Sequence, residues 1–262
     1  MQLHRKIKTD QFTTLFSRIK SEIAEWKVID LQFDDIPDYR STLTAAQKIE
    51  SYFGANTIGN IFICSQRELL TLARVGQSRS DEDIKSGLAE SILELPCSIT
   101  TGDLTEQKLG SIKDRLNLAQ DSVSNANIEF VFDKERKNRT ENKFFIIDGS
   151  NVARKVLTHF LEGLGEVHVF ENSGKVLQAY LEIVPDMVFT DINIPGGMSG
   201  FTLIKKIRSY DENAHVILQS AAATLENIKS AKDAGVRGFL GKPFTQERVL
   251  ETIARCNTID RK

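Results

Sequence analysis

The chain has 262 residues, 40% of them hydrophobic and 27% charged, with a formal net charge of −2 at pH 7. That length supports two ordinary domains with separate cores, and no apolar run approaches the ~20 residues that span a bilayer. Residues 1–142 carry 19 basic against 22 acidic side chains and residues 143–262 carry 15 against 14, so neither half has the basic excess of a duplex-binding domain. Nucleic acid and membrane are therefore not expected as partners. The opening Met1 to Lys6 is basic but lacks the apolar core and cleavage site of a secretory signal. Cys64, Cys97 and Cys256 are scattered and form no C-x-x-C pair, which predicts reduced thiols in a cytoplasmic protein. His4, His159, His168 and His215 show no metal-ligand spacing and read as structural or surface residues.

In chain order, Phe12, Leu15, Phe16, Ile19, Ile23 and Trp26 recur at helical spacing and predict an amphipathic helix. Val28–Phe33 and Thr57–Cys64 read as strands. Ser80-Asp-Glu-Asp resembles a capping box opening a helix that carries Ile84, Leu88, Ile92 and Leu95. A further helix places Leu109, Ile112, Leu116 and Val123 on one stripe, and Ile128–Phe132 alternates as a strand. Residues 1–132 thus predict an α+β domain. Residues 133–143 then run for eleven positions without an apolar side chain and predict a solvated linker, including the densest basic stretch, Lys134 to Arg139.

Residues 144–262 alternate cleanly. Strands are predicted at Phe144–Ile147, Val167–Phe170, Met187–Thr190, Val216–Gln219 and Gly238–Leu240. Helices are predicted between and after them, at Val152–Leu164, Gly174–Ile183, Phe201–Ser209, Leu225–Ala234 and Gln246–Arg255. Five strands alternating with five helices imply an α/β fold, a doubly wound five-stranded parallel sheet covered on both faces. Asp191, Ser220 and Lys242 each end or follow an apolar strand, so all three are expected at the carboxyl rim of the sheet, where such folds bind ligands. A carboxylate, a hydroxyl and an ammonium there suit the capture of a phosphoryl group.

Residues 144–255 resemble the receiver domain of bacterial response regulators, a flavodoxin-like, CheY-like family. The likeness rests on four runs in order: Phe-Phe-Ile-Ile-Asp148, Thr-Asp191-Ile-Asn193-Ile-Pro195, Ser220-Ala221, and Gly238-Phe239-Leu-Gly-Lys242-Pro243-Phe244. It implies that Asp191 is the phosphoacceptor, taking the group from the phosphohistidine of a sensor kinase or phosphotransfer protein. Lys242 would contact the phosphate oxygens and Ser220 would donate to them. Phe239 stands at the family's aromatic switch position, and the Lys242-Pro243 bond is expected to be cis. Mg²⁺ would be held by Asp148, Asp191 and the backbone carbonyl of Asn193. Receivers normally carry a second acidic residue after Asp148; this chain has Gly149, so Mg²⁺ is expected to bind weakly and phosphorylation to be slow or dispensable.

The first half resembles, faintly, the CheC and CheX phosphatases of chemotaxis, through the strand at Thr57, a helix at Arg67–Val75 and the helix from Asp81. That family uses a Glu and an Asn three residues apart; Glu90 matches, but Leu93 stands in place of the Asn. The combined expectation is a two-component response regulator whose Asp191 controls an N-terminal interaction domain with a protein partner and scope for a homodimer. An aspartyl-phosphate phosphatase fused to a receiver, and a pseudo-receiver scaffold, are the alternatives.

Overall fold

A computed structural model describes residues 1–4, 13–35, 39–54, 56–65, 67–76, 79–93, 95–124, 131–221 and 224–259. The chain divides into two compact units, Met1–Ile128 and Glu129–Lys262. Among the described residues no helix is long and apolar enough to cross a membrane.

The first unit runs β1 (Gln2–His4), α1 (Thr13–Ser21), β2 (Trp26–Phe33), α2 (Tyr39–Phe53), β3 (Gly59–Ser65), β4 (Glu68–Arg74), α3 (Asp81–Ser91), β5 (Cys97–Asp103) and α4 (Glu106–Ser124). Its sheet has the order β1-β3-β4-β2-β5, antiparallel except for β1 beside β3. Trp26, Phe62, Leu70 and Leu72 on one face of the sheet cluster with Ile19 of α1 and with Leu109, Ile112 and Leu116 of α4. The side chain of Val123 lies outside the described residues. The capping box of α3 is present, with Ser80 and Asp83 each accepting from the other's backbone N–H.

Three expectations for this unit are corrected. The first helix stops at Ser21, Ile23–Glu25 form a single 3₁₀ turn, and Trp26 opens β2; Phe12 lies outside the described residues. Arg67–Val75 is not a helix but holds β4, paired on one side with β2 and on the other with β3. As a central strand it is buried on both faces, and that erases the alternation by which half-buried strands are read. Ile128–Phe132 is not a strand: Val131 and Phe132 open a helix, and 128–130 lie outside the described residues.

The second unit begins with that helix, α5 (Val131–Asn138), then β6 (Lys143–Ile147), α6 (Asn151–Leu161), β7 (Glu166–Phe170), α7 (Val176–Ile183), β8 (Met187–Asp191), α8 (Gly200–Tyr210), β9 (Val216–Ser220), α9 (Leu225–Ala234), β10 (Gly238–Gly241) and α10 (Gln246–Ala254). All strand pairs are parallel, in the order β10-β9-β8-β6-β7. Phe145, Val188, Val216 and Leu218 point to the α7–α8 side with Tyr180, Leu203 and Ile207. Phe144, Ile146, Phe189 and Ile217 point to the opposite side with Leu157, Leu161, Val249 and Ile253. Truncating one of these phenylalanines to alanine is worth about 3–5 kcal/mol, a large share of a domain's stability.

The solvated linker is also corrected, because α5 docks on the rest of the second unit through Phe132, which is buried with its ring edge-on to Tyr180, and through its arginines. Arg136 is 1% exposed. Its guanidinium donates to Pro185 O at 2.9 Å, Tyr180 Oη at 2.8 Å, Asp133 Oδ1 at 3.2 Å and the Asp211 carboxylate. Arg139 adds bonds to Ile183 O at 3.0 Å and Asp186 Oδ2 at 2.7 Å. A buried guanidinium is tolerated when its forked donors are met and a carboxylate offsets its charge.

Candidate functional site

The carboxyl ends of β6, β8 and β9, with the turn after β10, form one rim. Asp148 follows β6 and is fully buried. Its Oδ1 accepts from Ser150 N at 2.8 Å, while Ser150 Oγ caps α6 by accepting from Ala153 N at 3.3 Å. Asp191 ends β8; its Oδ1 accepts from Ile192 N at 2.7 Å. Ser220 ends β9, 6% exposed, and its carbonyl accepts from Lys242 N at 2.9 Å. The backbone thereby joins the Ser220 and Lys242 positions, and the Lys242–Pro243 bond is cis.

Lys242 brings the charges together. Its Nζ donates to Asp191 Oδ2 at 2.7 Å and lies 2.6 Å from Asp148 Oδ2. The second contact is one of charge and distance without hydrogen-bond alignment, so Asp148 Oδ2 is buried with no hydrogen-bond partner among the described residues. Asp191 and Lys242 side chains are each 17% exposed, which leaves the site open to a small reactant. Two carboxylates share one ammonium, so the cluster keeps one net negative charge. An ion pair this shielded is screened little by salt.

Glycines set the walls. A Cβ at Gly200, the first residue of α8, would lie 1.9 Å from Asp191 O, so only glycine lets that helix start against the Asp191 backbone. A Cβ at Gly149 would lie 3.0 Å from Pro195 Cδ and 4.0 Å from Asn193 O. A side chain at 149 would therefore begin beside the Asn193 carbonyl, and glycine leaves that place without a carboxylate. Among the described residues no group of three or more His, Cys, Asp or Glu side chains is arranged to hold a metal. The residues present fit a hard divalent cation in part: two carboxylates, one with a buried oxygen that makes no hydrogen bond but faces the Lys242 ammonium, and a nearby carbonyl.

Arg154 belongs to this site and went unread in the sequence. From α6 its Nη1 donates to Asp148 O at 2.7 Å and Gly149 O at 3.1 Å, tying down the turn that carries Asp148. The available signal was its place in the second turn of a helix starting just after Asp148. Phe239 on β10 is half-buried against the α8–α9 side of the core. In the first unit Glu90 is exposed near the end of α3, and Leu93 is 80% exposed with no polar atom to offer.

Comparison with known proteins points to the same stretch. The family model for the response regulator receiver domain matches residues 144–254. The chemotaxis protein CheY of Bacillus subtilis is 34% identical over 113 residues, 42% of this chain and 93% of that protein. The DNA-binding transcriptional regulator NtrC of Escherichia coli is 32% identical over 112 residues, 42% of this chain but 24% of that protein. The solved structure of the chemotaxis response regulator CheY4 of Vibrio cholerae is 27% identical, covering 45% of this chain and 99% of that one, with a TM-score of 0.41.

Proposed function

The chain belongs to the response regulator receiver family through its second unit, and on that premise we propose that Asp191 accepts a phosphoryl group and that the change is read by the first unit. The observation that carries this reading is the Lys242 ammonium held 2.7 Å from Asp191 and 2.6 Å from Asp148, with all three groups at the carboxyl rim of the sheet.

Phosphoryl transfer depends mainly on positioning and charge neutralisation. Ile192 N pins Oδ1 of Asp191, which leaves Oδ2, on the Lys242 side, to bond to phosphorus. The phosphorus–nitrogen bond of a kinase or phosphotransfer-protein phosphohistidine breaks, an acyl phosphate forms, and the imidazole leaves with the electron pair. Lys242 is a compact cation already placed to follow the transferred oxygens. Ser220, on the adjacent strand end, would donate to one of them, and Phe239, the second residue of β10 and paired with Leu218 of β9, would follow that movement. Asp148, Asp191 and the Asn193 carbonyl would hold Mg²⁺, which supplies neutralisation of the charge developing on the phosphoryl oxygens. With Gly149 in place of a third carboxylate, that affinity is low.

The phosphoryl group adds about −1.5 to −2 charge to a rim whose ammonium is already shared. Its effect is expected to reach a protein partner through the first unit, whose balance of 15 basic to 18 acidic side chains over residues 1–128 suits protein rather than DNA. Incubation of the full chain with acetyl phosphate and Mg²⁺, followed by phosphate-affinity electrophoresis, tests the assignment. A retarded band is expected for the wild type and none for Asp191→Ala. A band that survives the substitution, or none at any Mg²⁺ concentration, overturns it.

A further inference from the structure

At the amino-terminal end of the same parallel sheet, away from Asp191, α5 closes one side of a cleft of about 430 Å³. Its other walls follow from topology. His215 precedes β9, Arg237 precedes β10, and Arg255 follows α10. Lys137 faces the cleft from the last turn of α5.

Charge in this cleft is unbalanced. Its acidic groups are already engaged: Asp133 accepts from Arg136 and, at 2.7 Å, from Asn213, and Asp186 accepts from Arg139 and from Lys143 N. Lys137, Arg237 and Arg255 have no ion pair or side-chain hydrogen bond among the described residues, and all three are exposed at the rim. His215 is half-buried below them, and its Nε2 is buried without a hydrogen-bond partner. Burial, followed by Arg237 and Arg136, holds its pKa down to about 4, so the imidazole is neutral at physiological pH and adds hydrogen-bonding capacity without charge.

Three unpaired cations around one concavity repel one another, and a multiply charged anion relieves that repulsion. Guanidinium forks match phosphate oxygens in bidentate geometry. The volume lies within the ~300–1,000 Å³ of small-molecule sites, large enough for a phosphorylated metabolite and too confined for a folded partner. We propose that this cleft binds a small phosphorylated anion of nucleotide size, at the opposite end of the sheet from the phosphoacceptor and against the helix that leads into the first unit. The site would let the same unit that accepts phosphate on Asp191 also respond to a diffusible ligand.

The test uses the full chain at about 0.15 M NaCl without Mg²⁺, so that exposed charges are screened. Inorganic pyrophosphate and, separately, adenosine diphosphate are titrated and followed by amide NMR and calorimetry. Saturable binding is expected, with shifts centred on Lys137, His215, Arg237 and Arg255. Arg237→Gln and Arg255→Gln should each weaken it about tenfold, the scale of one charge-assisted hydrogen bond. Both side chains are exposed, so unchanged thermal unfolding will confirm intact folds. Pyrophosphate binding without adenosine diphosphate binding would restrict the ligand to inorganic polyanions and overturn the nucleotide-sized assignment. No saturation by about 10 mM, shifts centred on the Asp191 rim, or wild-type affinity in either variant would overturn the site itself.

Discussion

Arg136 on α5 and Asp211 at the end of α8 form an ion pair whose side chains are 2% and 3% exposed. Tyr180 Oη donates to the same carboxylate at 2.7 Å, and Asn213 N donates to its other oxygen at 3.0 Å. Removing one partner from such a buried pair strands the other charge. Arg136→Ala should therefore destabilise the second unit by about 3–5 kcal/mol. Replacing both partners together, as Arg136→Met with Asp211→Leu, should cost clearly less. Urea unfolding monitored by far-UV circular dichroism decides it; a single-variant loss under about 1 kcal/mol would show that α5 is only loosely held.

Gly149→Asp should tighten Mg²⁺ binding at least ~10-fold, because it returns a carboxylate beside the Asn193 carbonyl. The Pro195 ring, 3.0–3.1 Å from the new Cβ, must yield by a few tenths of an ångström. Calorimetric titration with MgCl₂ measures the change. Unaltered affinity would mean that the missing carboxylate is not what limits the metal.

Lys242→Met separates two roles that a general loss of structure would merge. Without the ammonium at 2.6 Å, Asp148 is free to engage a cation, so Mg²⁺ affinity should hold or rise. Acetyl phosphate labelling of Asp191 should nevertheless fall by about 10²-fold, the scale for losing one positioned donor at a developing charge. Parallel losses of metal and labelling would contradict the assigned role.

Gly200→Ala places a methyl where the carbonyl of Asp191 now sits, and neither group is a flexible side chain. The backbone of α8 or of β8 must move, at a cost of about 1–3 kcal/mol. Labelling of Asp191 should drop more than that loss of folded protein explains. Thermal melts and labelling on one sample would tell the two apart.

The second unit should weaken on acidification through His215. Its folded pKa of about 4 lies below the ordinary value of 6.5, so the unfolded chain takes up the proton first. The stabilising difference is complete above about pH 6.5 and is lost as pH falls toward 4. The charged groups lining the cleft with His215 are Asp133, Arg136 and Lys137 of α5, Asp186 before β8, Arg237 before β10 and Arg255 after α10, and of these Arg237 and Arg136 act on its pKa. His215→Gln should match the wild type at pH 7.5 and lose less stability by pH 5 in urea melts. Equal losses would remove His215 from the pH response.

The second unit was readable because buried parallel strands appear as short apolar runs between polar breaks, and the ends of all ten elements predicted there fell within three residues of those observed. Lys242 beside Asp191 followed from placing both at strand ends. The first unit was harder for identifiable reasons. Leu69, Leu70, Leu72 and Ala73 have helical spacing, yet β4 buries both faces. Edge strand β5 carries a single buried aliphatic, Ile99, among Ser, Thr and Gly. Helix α2 was passed over although Tyr39, Thr42, Leu43, Ala46 and Ile49 form its buried stripe, diluted by small and hydroxylated residues. Helix α5 was missed because its apolar start, Val131 and Phe132, read as the end of a strand and its other buried anchor is the Arg136 guanidinium, whose partners include groups 44 to 75 residues away.

That anchor also governs how the protein can be dissected. A polypeptide begun at Phe144, where the polar stretch invites a cut, would lack the plug for a socket lined by the Tyr180 hydroxyl, the Pro185 carbonyl and the Asp211 carboxylate. Water would enter beneath the sheet at that place. A piece carrying Asp191 should therefore be more stable when it starts upstream, with Arg136 still attached.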